Sequence, residues 1–195
     1  MNSTKLINRK LVAWIVSHCK TNSKREEHVR ELQKHIPVDI YGKCEPLNCT
    51  AKNKMSNQCY QIIETRYKFY LSFENSMCLD YITEKALNIL KLNVVPIVRG
   101  PKGYNKHVPP NSVINAREFA SPKSLAEFIK ELDKDHNRYM GYLKWKAHYY
   151  IGSTWEGRIT SLCHLCSIVH NQTFIHKSRS FDFKSWYSKN NTCTP

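Results

Sequence analysis

The amino-acid sequence predicts an α/β domain built on a Rossmann-like, doubly wound parallel sheet. The chain opens with an apolar run, a helical pattern and a second apolar run, which is the order of a βαβ unit. Residues 67–85 repeat the order strand, polar turn and helix, and residues 94–98 give a further buried strand. With 195 residues and 41% hydrophobic content, the chain suffices for one domain with an appendage.

The first strand and helix of this unit follow each other closely. Lys10 to Val16 is almost uninterruptedly apolar, which predicts a buried strand. A helix follows from about Lys24 to His35, with Ser23 as the N-cap and Glu26 at the third helical position. This spacing is a capping-box pattern, so we expect the Ser23 side chain to begin the helix.

The second strand, Val38 to Tyr41, ends at Gly42 and completes the unit. Arg25 stands in the first turn of the predicted helix, beside the carboxyl end of the first strand. Ligands of open α/β sheets bind at that edge, so Arg25 is a candidate contact for a pyrophosphate. The alternative interpretation is an ordinary exposed helix arginine.

Residues 67–85 are the most informative segment of the chain. Residues 67–73 alternate aromatic or apolar side chains with Lys and Ser, which favours a strand in a mostly buried sheet. Three polar residues, 74–76, then break the apolar run, and Asp80 stands where an N-cap would. We therefore expect a helix from about Tyr81.

An acid and a base, Glu84 and Lys85, stand near the start of that helix. A carboxylate there can accept hydrogen bonds from both hydroxyls of a ribose, and an ammonium group can neutralise a phosphate. In the alternative interpretation both residues lie on a solvated helix face, Glu74 forms a buried ion pair, and the aromatic side chains are core.

The remaining segments predict further helices and loops. Residues 43–60 are polar and contain three cysteines, which indicates a disulfide-pinned loop. Ser121 and Pro122 predict a helix N-terminus, with the helix running to about Leu132, and a further helix is expected over residues 135–148. We divide the chain into a linker remnant (1–9), a Rossmann-like domain (10–150) and a cysteine-containing tail (151–195), which we expect to be irregular apart from a helix around residues 163–170.

The net charge of +14 makes polyanions natural partners. The basic residues are scattered, however, with no run of five or more, and no zinc-finger or RNA-binding signature is present. A nucleic-acid or heparin binder therefore rests on charge alone, and we expect no nucleic-acid partner.

Eight cysteines and several N-glycosylation sequons favour the secretory pathway. The sequons stand at Asn2, Asn48, Asn171 and Asn190. Residues 1–16 contain neither a signal peptide nor a membrane span, so we expect that an upstream segment is missing from this sequence.

Two short motifs could bind metal but have simpler interpretations. Cys163 and Cys166 flank His164, and with only three candidate ligands close together a disulfide is favoured over a metal or redox site. Asp133-Lys-Asp135 falls between two predicted helices, away from strand ends, so we interpret it as helix capping.

Several segments, in this order along the chain, resemble the donor-binding half of the α1,3-fucosyltransferases of glycosyltransferase family 10. The Phe73-Glu-Asn-Ser block with Asp80-Tyr-Ile-Thr-Glu-Lys85 is specific to that family. The cysteine pattern is most similar to that of the invertebrate enzymes that fucosylate the core of N-glycans. The segments are Lys10-Leu-Val-Ala-Trp-Ile-Val-Ser17, Arg25 with Glu31-Leu-Gln33, Val38–Gly42, Tyr67–Lys85, Val95–Val98, Phe119–Pro122 and Tyr139–Trp145.

The resemblance implies a GT-B fold and inverting transfer of L-fucose from GDP-L-fucose to the 3-hydroxyl of GlcNAc on N-glycans. Arg25 and Lys85 would hold the diphosphate and Glu84 the ribose. Asn75, Tyr81 and Thr83 would line the nucleotide-sugar pocket. No metal or other cofactor would be required, with Mn²⁺ at most a stimulant.

The resemblance also implies parts that this sequence lacks. Family members have a signal anchor, which makes them type II proteins of the Golgi membrane with a lumenal catalytic region. They also have an N-terminal acceptor-binding domain that supplies the catalytic base. Without that domain, Cys163 and Cys166 would be unpaired or cross-linked to each other. The alternative function is a non-catalytic GDP-sugar or polyanion-binding protein with the same fold.

Overall fold

The computed structural model describes residues 9–44, 47, 57–152, 154–171, 182 and 193–194. These residues fall into two compact units. The first ends at Tyr149 and also contains Cys193 and Thr194, and the second begins at Tyr150. The limits of linker, domain and tail given above stay predictions.

The first unit contains a parallel sheet of five strands in the order β2-β1-β3-β5-β6. A short strand, β4, lies outside this sheet and pairs antiparallel with β7. Apolar runs in the sequence predicted the sheet strands β1, β2, β3 and β5, whereas β6 was not predicted. The strands are β1 (Lys10–Ile15), β2 (Val38–Tyr41), β3 (Tyr67–Phe73), β4 (Met77–Cys78), β5 (Val95–Arg99), β6 (Ile114–Asn115) and β7 (Cys193–Thr194).

Helices cover both faces of the sheet, which confirms the doubly wound α/β fold. Helices α1, α4 and α5 pack on one face through side chains such as Val29, Leu32 and Ile129. Helices α2 and α3 pack on the other face through Ile63 and Ile89. The helices are α1 (Arg25–Gln33), α2 (Asn57–Arg66), α3 (Glu84–Leu90), α4 (Pro122–Lys134), α5 (His136–Gly141) and, in the second unit, α6 (Thr154–His170).

The predicted capping box of α1 is wrong. The N-cap is Lys24, in the left-handed conformation with φ 50°, and no side chain caps the helix. The hydroxyl of Ser23 instead donates to the carbonyl oxygen of Glu74 at 2.7 Å, and the Ser23 amide donates to the carbonyl of Asn75 at 3.1 Å. A contact with a distant loop therefore uses the side chain that the local pattern assigns to the cap.

The predicted start of α3 is also wrong. The helix begins at Glu84 rather than Tyr81, and Asp80 is not its cap but a residue in the left-handed conformation, with φ 58°. Thr83 occupies the N-cap position without a side-chain cap bond. Its amide and its hydroxyl both donate to the carboxylate of Glu74, which holds Thr83 in an extended conformation.

The loop predicted at residues 43–60 is partly helical, because α2 begins at Asn57. Cys44 forms a disulfide with Cys19, and Cys59 is disulfide-bonded as well. Cys49 lies outside the described residues.

Helix α4 begins as predicted, with a capping box between Ser121 and Ser124 and with Pro122 in the first turn. The next helix is shorter than the predicted segment 135–148. It ends at Gly141, a residue of low helix propensity, and a 3₁₀ turn follows at Lys144–Ala147. As predicted, Asp135 caps this helix by accepting from the Arg138 amide at 3.0 Å.

The second unit contains α6, which includes the helix expected around residues 163–170 and extends it to Thr154, into a segment that was expected to be irregular. Cys163 and Cys166 are free and exposed, so the predicted disulfide between them is wrong for this structure. Side chains three residues apart on a regular helix have Cβ atoms about 5–6 Å apart, farther than the roughly 3.5–4.5 Å that a disulfide needs. Within the described part of the chain, every helix is too short or too polar to cross a membrane.

Candidate functional site

A cavity of about 720 Å³ opens at the carboxyl ends of the central strands. Strand β1 pairs with β2 on one side and β3 on the other, so the crevice between β1 and β3 is the point where the strand order reverses. The lining residues are Trp14–His18, Arg25, Gly42, Lys43, Tyr60, Tyr70, Leu71, Asn75, Glu84, Lys85 and Asn88. The βαβ order thus places the cavity where ligands of such sheets bind.

Arg25 is a fixed cation in the wall of this cavity. Only 3% of the residue is exposed, which excludes the surface-arginine interpretation. Its guanidinium donates to the carbonyl oxygens of Phe73 at 2.8 Å and His18 at 3.2 Å. The group also lies 5.4 Å from the Trp14 ring centroid and 3.4 Å from a carboxylate oxygen of Glu26. Burial lowers the pKa of Arg25, but an arginine remains charged at neutral pH.

Lys85 provides a second cation, and its position depends on Glu74. The ammonium lies 3.0 Å from a carboxylate oxygen of Glu74 and donates to the Thr83 hydroxyl at 2.7 Å. Glu74 is fully buried and also accepts from the Thr83 amide at 2.9 Å and the Thr83 hydroxyl at 2.8 Å. The buried ion pair considered as an alternative is therefore present, and Lys85 still lines the cavity.

The predicted residues Asn75 and Glu84 also line the cavity. Asn75 follows the end of β3, and its Oδ1 atom is buried without a hydrogen-bond partner among the described residues. Glu84, the first residue of α3, is exposed. An amide and a carboxylate thus stand beside the two cations, which is a set of groups suited to a phosphorylated, hydroxyl-bearing ligand.

Tyr81 and Thr83 are not among the residues that line the cavity. Thr83 holds the Glu74 carboxylate, and Tyr81 lies in the turn after β4, where its amide donates to the carbonyl of Cys78 at 3.1 Å. The structure therefore brings together Arg25, Asn75, Glu84 and Lys85, and the Thr83 hydroxyl contacts the Lys85 ammonium beside them. Their roles in binding a ligand stay predictions.

Sequence reasoning missed the loops after β1 and β2, which supply Ser17, His18 and Lys43. The carboxyl ends of the predicted strands could have identified these loops, because ligands of open α/β sheets bind there. Gly42 lets the second loop approach the first, since its φ is +107° and an added Cβ would lie 2.3 Å from the carbonyl oxygen of Val16. The disulfide between Cys19 and Cys44 then links the two loops just beyond the cavity wall.

Tyr60 and Asn88 also went unpredicted. Tyr60 belongs to α2, in a segment whose pattern predicted a loop, and Asn88 lies one helical turn after Glu84 on α3. The helical spacing of four residues was the signal that could have identified Asn88.

The two aspartates of the Asp133-Lys-Asp135 motif have structural roles. Asp133 forms an ion pair with Lys68, and Asp135 caps α5. Among the described residues, no group of three or more potential ligands could hold a metal ion. Of the sequon asparagines, Asn171 is exposed, while Asn2, Asn48 and Asn190 lie outside the described residues.

Curated proteins and solved structures resemble this chain in sequence and in fold. The chain is 39% identical over 179 residues to alpha-(1,3)-fucosyltransferase C of Drosophila melanogaster, covering 91% of this chain and 40% of the relative. It is 41% identical over 189 residues to glycoprotein 3-alpha-L-fucosyltransferase A of the same organism, covering 95% of this chain and 36% of the relative. The chain thus spans well under half the length of these curated relatives.

A crystal structure of an alpha1,3-fucosyltransferase superposes with a TM-score of 0.59 at 26% identity, over 71% of this chain and 38% of that one. A crystal structure of an alpha1,3-fucosyltransferase with GDP superposes with a TM-score of 0.59 at 25% identity, over 71% and 39%. The model of the glycosyltransferase family 10 (fucosyltransferase) C-terminal region matches residues 6–186. The chain therefore belongs to glycosyltransferase family 10, the fucosyltransferases, as its motifs predicted.

Proposed function

We propose that this chain is the donor-binding part of a fucosyltransferase that transfers L-fucose from GDP-L-fucose to the 3-hydroxyl of a GlcNAc on N-glycans, with inversion. The observation that carries the proposal is the pair of cations, Arg25 and Lys85, in one cavity at the switch point of the sheet. The relative crystallised with GDP and the Drosophila relatives named as fucosyltransferases support the donor and the reaction.

The cations act on the leaving group. When the bond between fucose C1 and the β-phosphate oxygen breaks, the electron pair stays on GDP, whose negative charge increases. Arg25 is already oriented by its bonds to backbone carbonyls, and Lys85 by Glu74, so neither has to reorganise as this charge develops. We assign no required metal to this step.

The acceptor hydroxyl attacks C1 from the opposite face and gives its proton to a general base. We assign that base, and most acceptor contacts, to the part of the full-length relatives that this chain does not cover. A missing base lowers the rate by roughly 10²–10⁴-fold, so we expect this chain to bind the donor well and transfer fucose poorly. The disulfide-bonded cysteines support a lumenal setting, and we propose the Golgi for the whole protein.

Calorimetric titration with GDP tests the donor site. The double variant Arg25→Ala and Lys85→Ala removes both cations from the cavity, whereas Arg158→Ala with Lys130→Ala removes two exposed cations that do not line it. We expect GDP binding to be lost in the first variant and kept in the second. Equal loss in both, or binding that falls steeply with salt in every variant, would indicate a polyanion binder instead.

Transfer of labelled fucose from GDP-fucose to a GlcNAc-terminated N-glycan tests the reaction. We expect slow transfer that depends on Arg25 and Lys85. GDP binding with no transfer, even when the chain is extended to the full length of its relatives, would identify a non-catalytic GDP-sugar-binding protein.

A further inference from the structure

A second cavity, of about 600 Å³, lies at the carboxyl edge of the sheet, and no described residue lines both cavities. Arg99, the last residue of β5, lines it together with the first two turns of α1 and with Pro122 at the start of α4. The amide of Ser23, in its wall, donates to the carbonyl oxygen of Asn75, in the wall of the first cavity, at 3.1 Å. The reaction proposed above makes no use of this second cavity.

Arg99 brings a partly buried cation to the cavity. One N–H of its guanidinium donates to the carbonyl oxygen of Ser23 at 2.7 Å, and no carboxylate in the described part of the chain forms an ion pair with it. Burial lowers the pKa of Arg99, and the nearby charge of Arg117 lowers it further, although Arg99 remains charged. Glu26, which acts in the opposite direction, is itself paired with Arg25 at 3.4 Å. A desolvated cation beside a like charge is stabilised by an anion.

The other charges of the cavity also favour an anion. Lys24 and Arg30 line it, are exposed, and form no ion pair with another described residue. Of the two carboxylates in the lining, Glu31 is paired with Lys34 at 2.8 Å. Among the described lining residues, Glu27 is therefore the one unpaired carboxylate, against three cations, and the cavity attracts negative charge.

His28 adds a polar atom that a ligand could satisfy. The ring lines the cavity, and its Nε2 atom is buried with no hydrogen-bond partner among the described residues. Burial and the charge of Arg99 lower the pKa of His28 to about 4, so the ring is neutral at pH 7. In the tautomer protonated at Nε2, this atom donates a hydrogen bond, and an oxyanion at Arg99 provides an acceptor for it.

We propose that this cavity binds a sugar that carries a sulfate or phosphate ester, with the oxyanion held by Arg99, Arg30 and Lys24. Guanidinium groups match such oxyanions with parallel N–H donors. An inorganic ion fills only a small part of about 600 Å³, a volume typical of sites for small molecules. The unpaired carboxylate of Glu27 repels a second anion but accepts hydrogen bonds from hydroxyl groups, which a sugar provides. The site is independent of the proposed GDP site.

Calorimetric titration with glucose 6-sulfate, whose charge is constant at neutral pH, tests this inference. We expect saturable binding to the unaltered chain. Arg99→Gln should weaken it by about tenfold to a hundredfold, because the charge-assisted hydrogen bonds to the sulfate are lost, and Arg30→Gln should weaken it by about tenfold or less. Arg158→Gln replaces an exposed arginine that does not line the cavity, and this matched control should leave the affinity unchanged.

Two further ligands test the two parts of the proposed ligand separately. Glucose has the hydroxyl groups without the ester, and we expect no measurable binding. Inorganic sulfate has the charge without the sugar, and it should bind more weakly than glucose 6-sulfate while depending on Arg99 and Arg30 in the same way. Equal affinity for inorganic sulfate and for glucose 6-sulfate would contradict the assignment of a sugar ester.

The double variant Arg25→Ala and Lys85→Ala distinguishes this site from the first cavity, because a sulfate could also bind to those two cations. Glucose 6-sulfate should bind this variant as it binds the unaltered chain. Loss of binding there, or no binding to the unaltered chain, would overturn the inference. Failure of the proposed function differs, because it appears as absent GDP binding and leaves the titration with glucose 6-sulfate unaffected.

Arg99→Gln also loses the hydrogen bond to Ser23, so this variant could fail to fold. Arg30→Gln changes an exposed side chain and decides the question in that case. Equal affinities for glucose 6-sulfate in Arg30→Gln and in the control Arg158→Gln would then show that the cavity does not hold the oxyanion.

Discussion

The buried carboxylate of Glu74 lies 3.0 Å from the ammonium group of Lys85, and together they join the end of β3 to the first turn of α3. Glu74 also accepts two hydrogen bonds from Thr83. The variant Glu74→Gln replaces an acceptor by an amide whose N–H₂ faces these donors, so we expect the free energy of unfolding to fall by roughly 1–3 kcal/mol. Urea denaturation measures this change.

The matched control for Glu74 is Glu31→Gln. Glu31 pairs with Lys34 at 2.8 Å, but both side chains are exposed, and such pairs contribute little. Equal stability of the two variants would show that the buried ion pair is not a stabilising contact.

Gly42 is required by its backbone conformation and by the carbonyl of Val16. We expect Gly42→Ala to destabilise the protein by about 1–3 kcal/mol, because a Cβ is strained at φ +107° and would lie 2.3 Å from that oxygen. Thermal denaturation measures the effect. Gly157→Ala is the control: Gly157 lies within α6 with no atom within 4 Å of the added Cβ, so this variant should be neutral or slightly stabilising.

The disulfide between Cys19 and Cys44 closes a segment with a sequence separation of 25. Loop-closure entropy predicts that Cys19→Ala with Cys44→Ala lowers the free energy of unfolding by about 3 kcal/mol. GDP affinity should fall as well, since the disulfide joins the two loops that carry His18 and Lys43. Urea denaturation and GDP titration under oxidising conditions check both effects.

Cys163 and Cys166, whose thiols are exposed and free, are the control for the variant that removes this disulfide. Their double replacement by serine should change neither the stability of the first unit nor GDP binding. If it matched the Cys19 and Cys44 variant in GDP affinity, the role assigned to that disulfide would be wrong.

His28 should make stability depend on pH. Burial lowers the pKa of His28 from 6.5 to about 4, so between these values the unfolded chain binds more protons than the folded one. Stability is therefore complete above pH 6.5 and declines as the pH falls toward 4. Because the ring is partly screened by solvent, we expect a loss on the order of 2 kcal/mol or less.

Thermal denaturation between pH 7 and 4.5 tests this dependence. The variant His28→Leu, which cannot titrate, should show a shallower decline than the unaltered chain. His136→Leu removes an exposed histidine and should keep the original slope. Identical slopes in all three proteins would rule out His28 as the group responsible.

The sequence by itself determined the α/β class, the positions of the main strands along the chain and the family. Parallel strands buried on both faces are continuous apolar runs, so segments such as residues 38–41 and 67–73 were identified without any tertiary information. The same strand ends, with the family motifs, predicted four residues that the cavity brings together: Arg25, Asn75, Glu84 and Lys85.

Only the tertiary structure decided where helices begin and which partners polar side chains choose. Ser23 and Asp80 carry the local pattern of N-caps, yet Ser23 bonds to the carbonyl oxygen of Glu74, and the Glu74 carboxylate fixes Thr83 instead. Asn88 and Tyr60 line one cavity only because α2 and α3 pack on the same face of the sheet. Local patterns record what a segment can do alone, whereas a buried carboxylate must be satisfied by whichever donors the fold brings to it, and those donors are distant in the sequence.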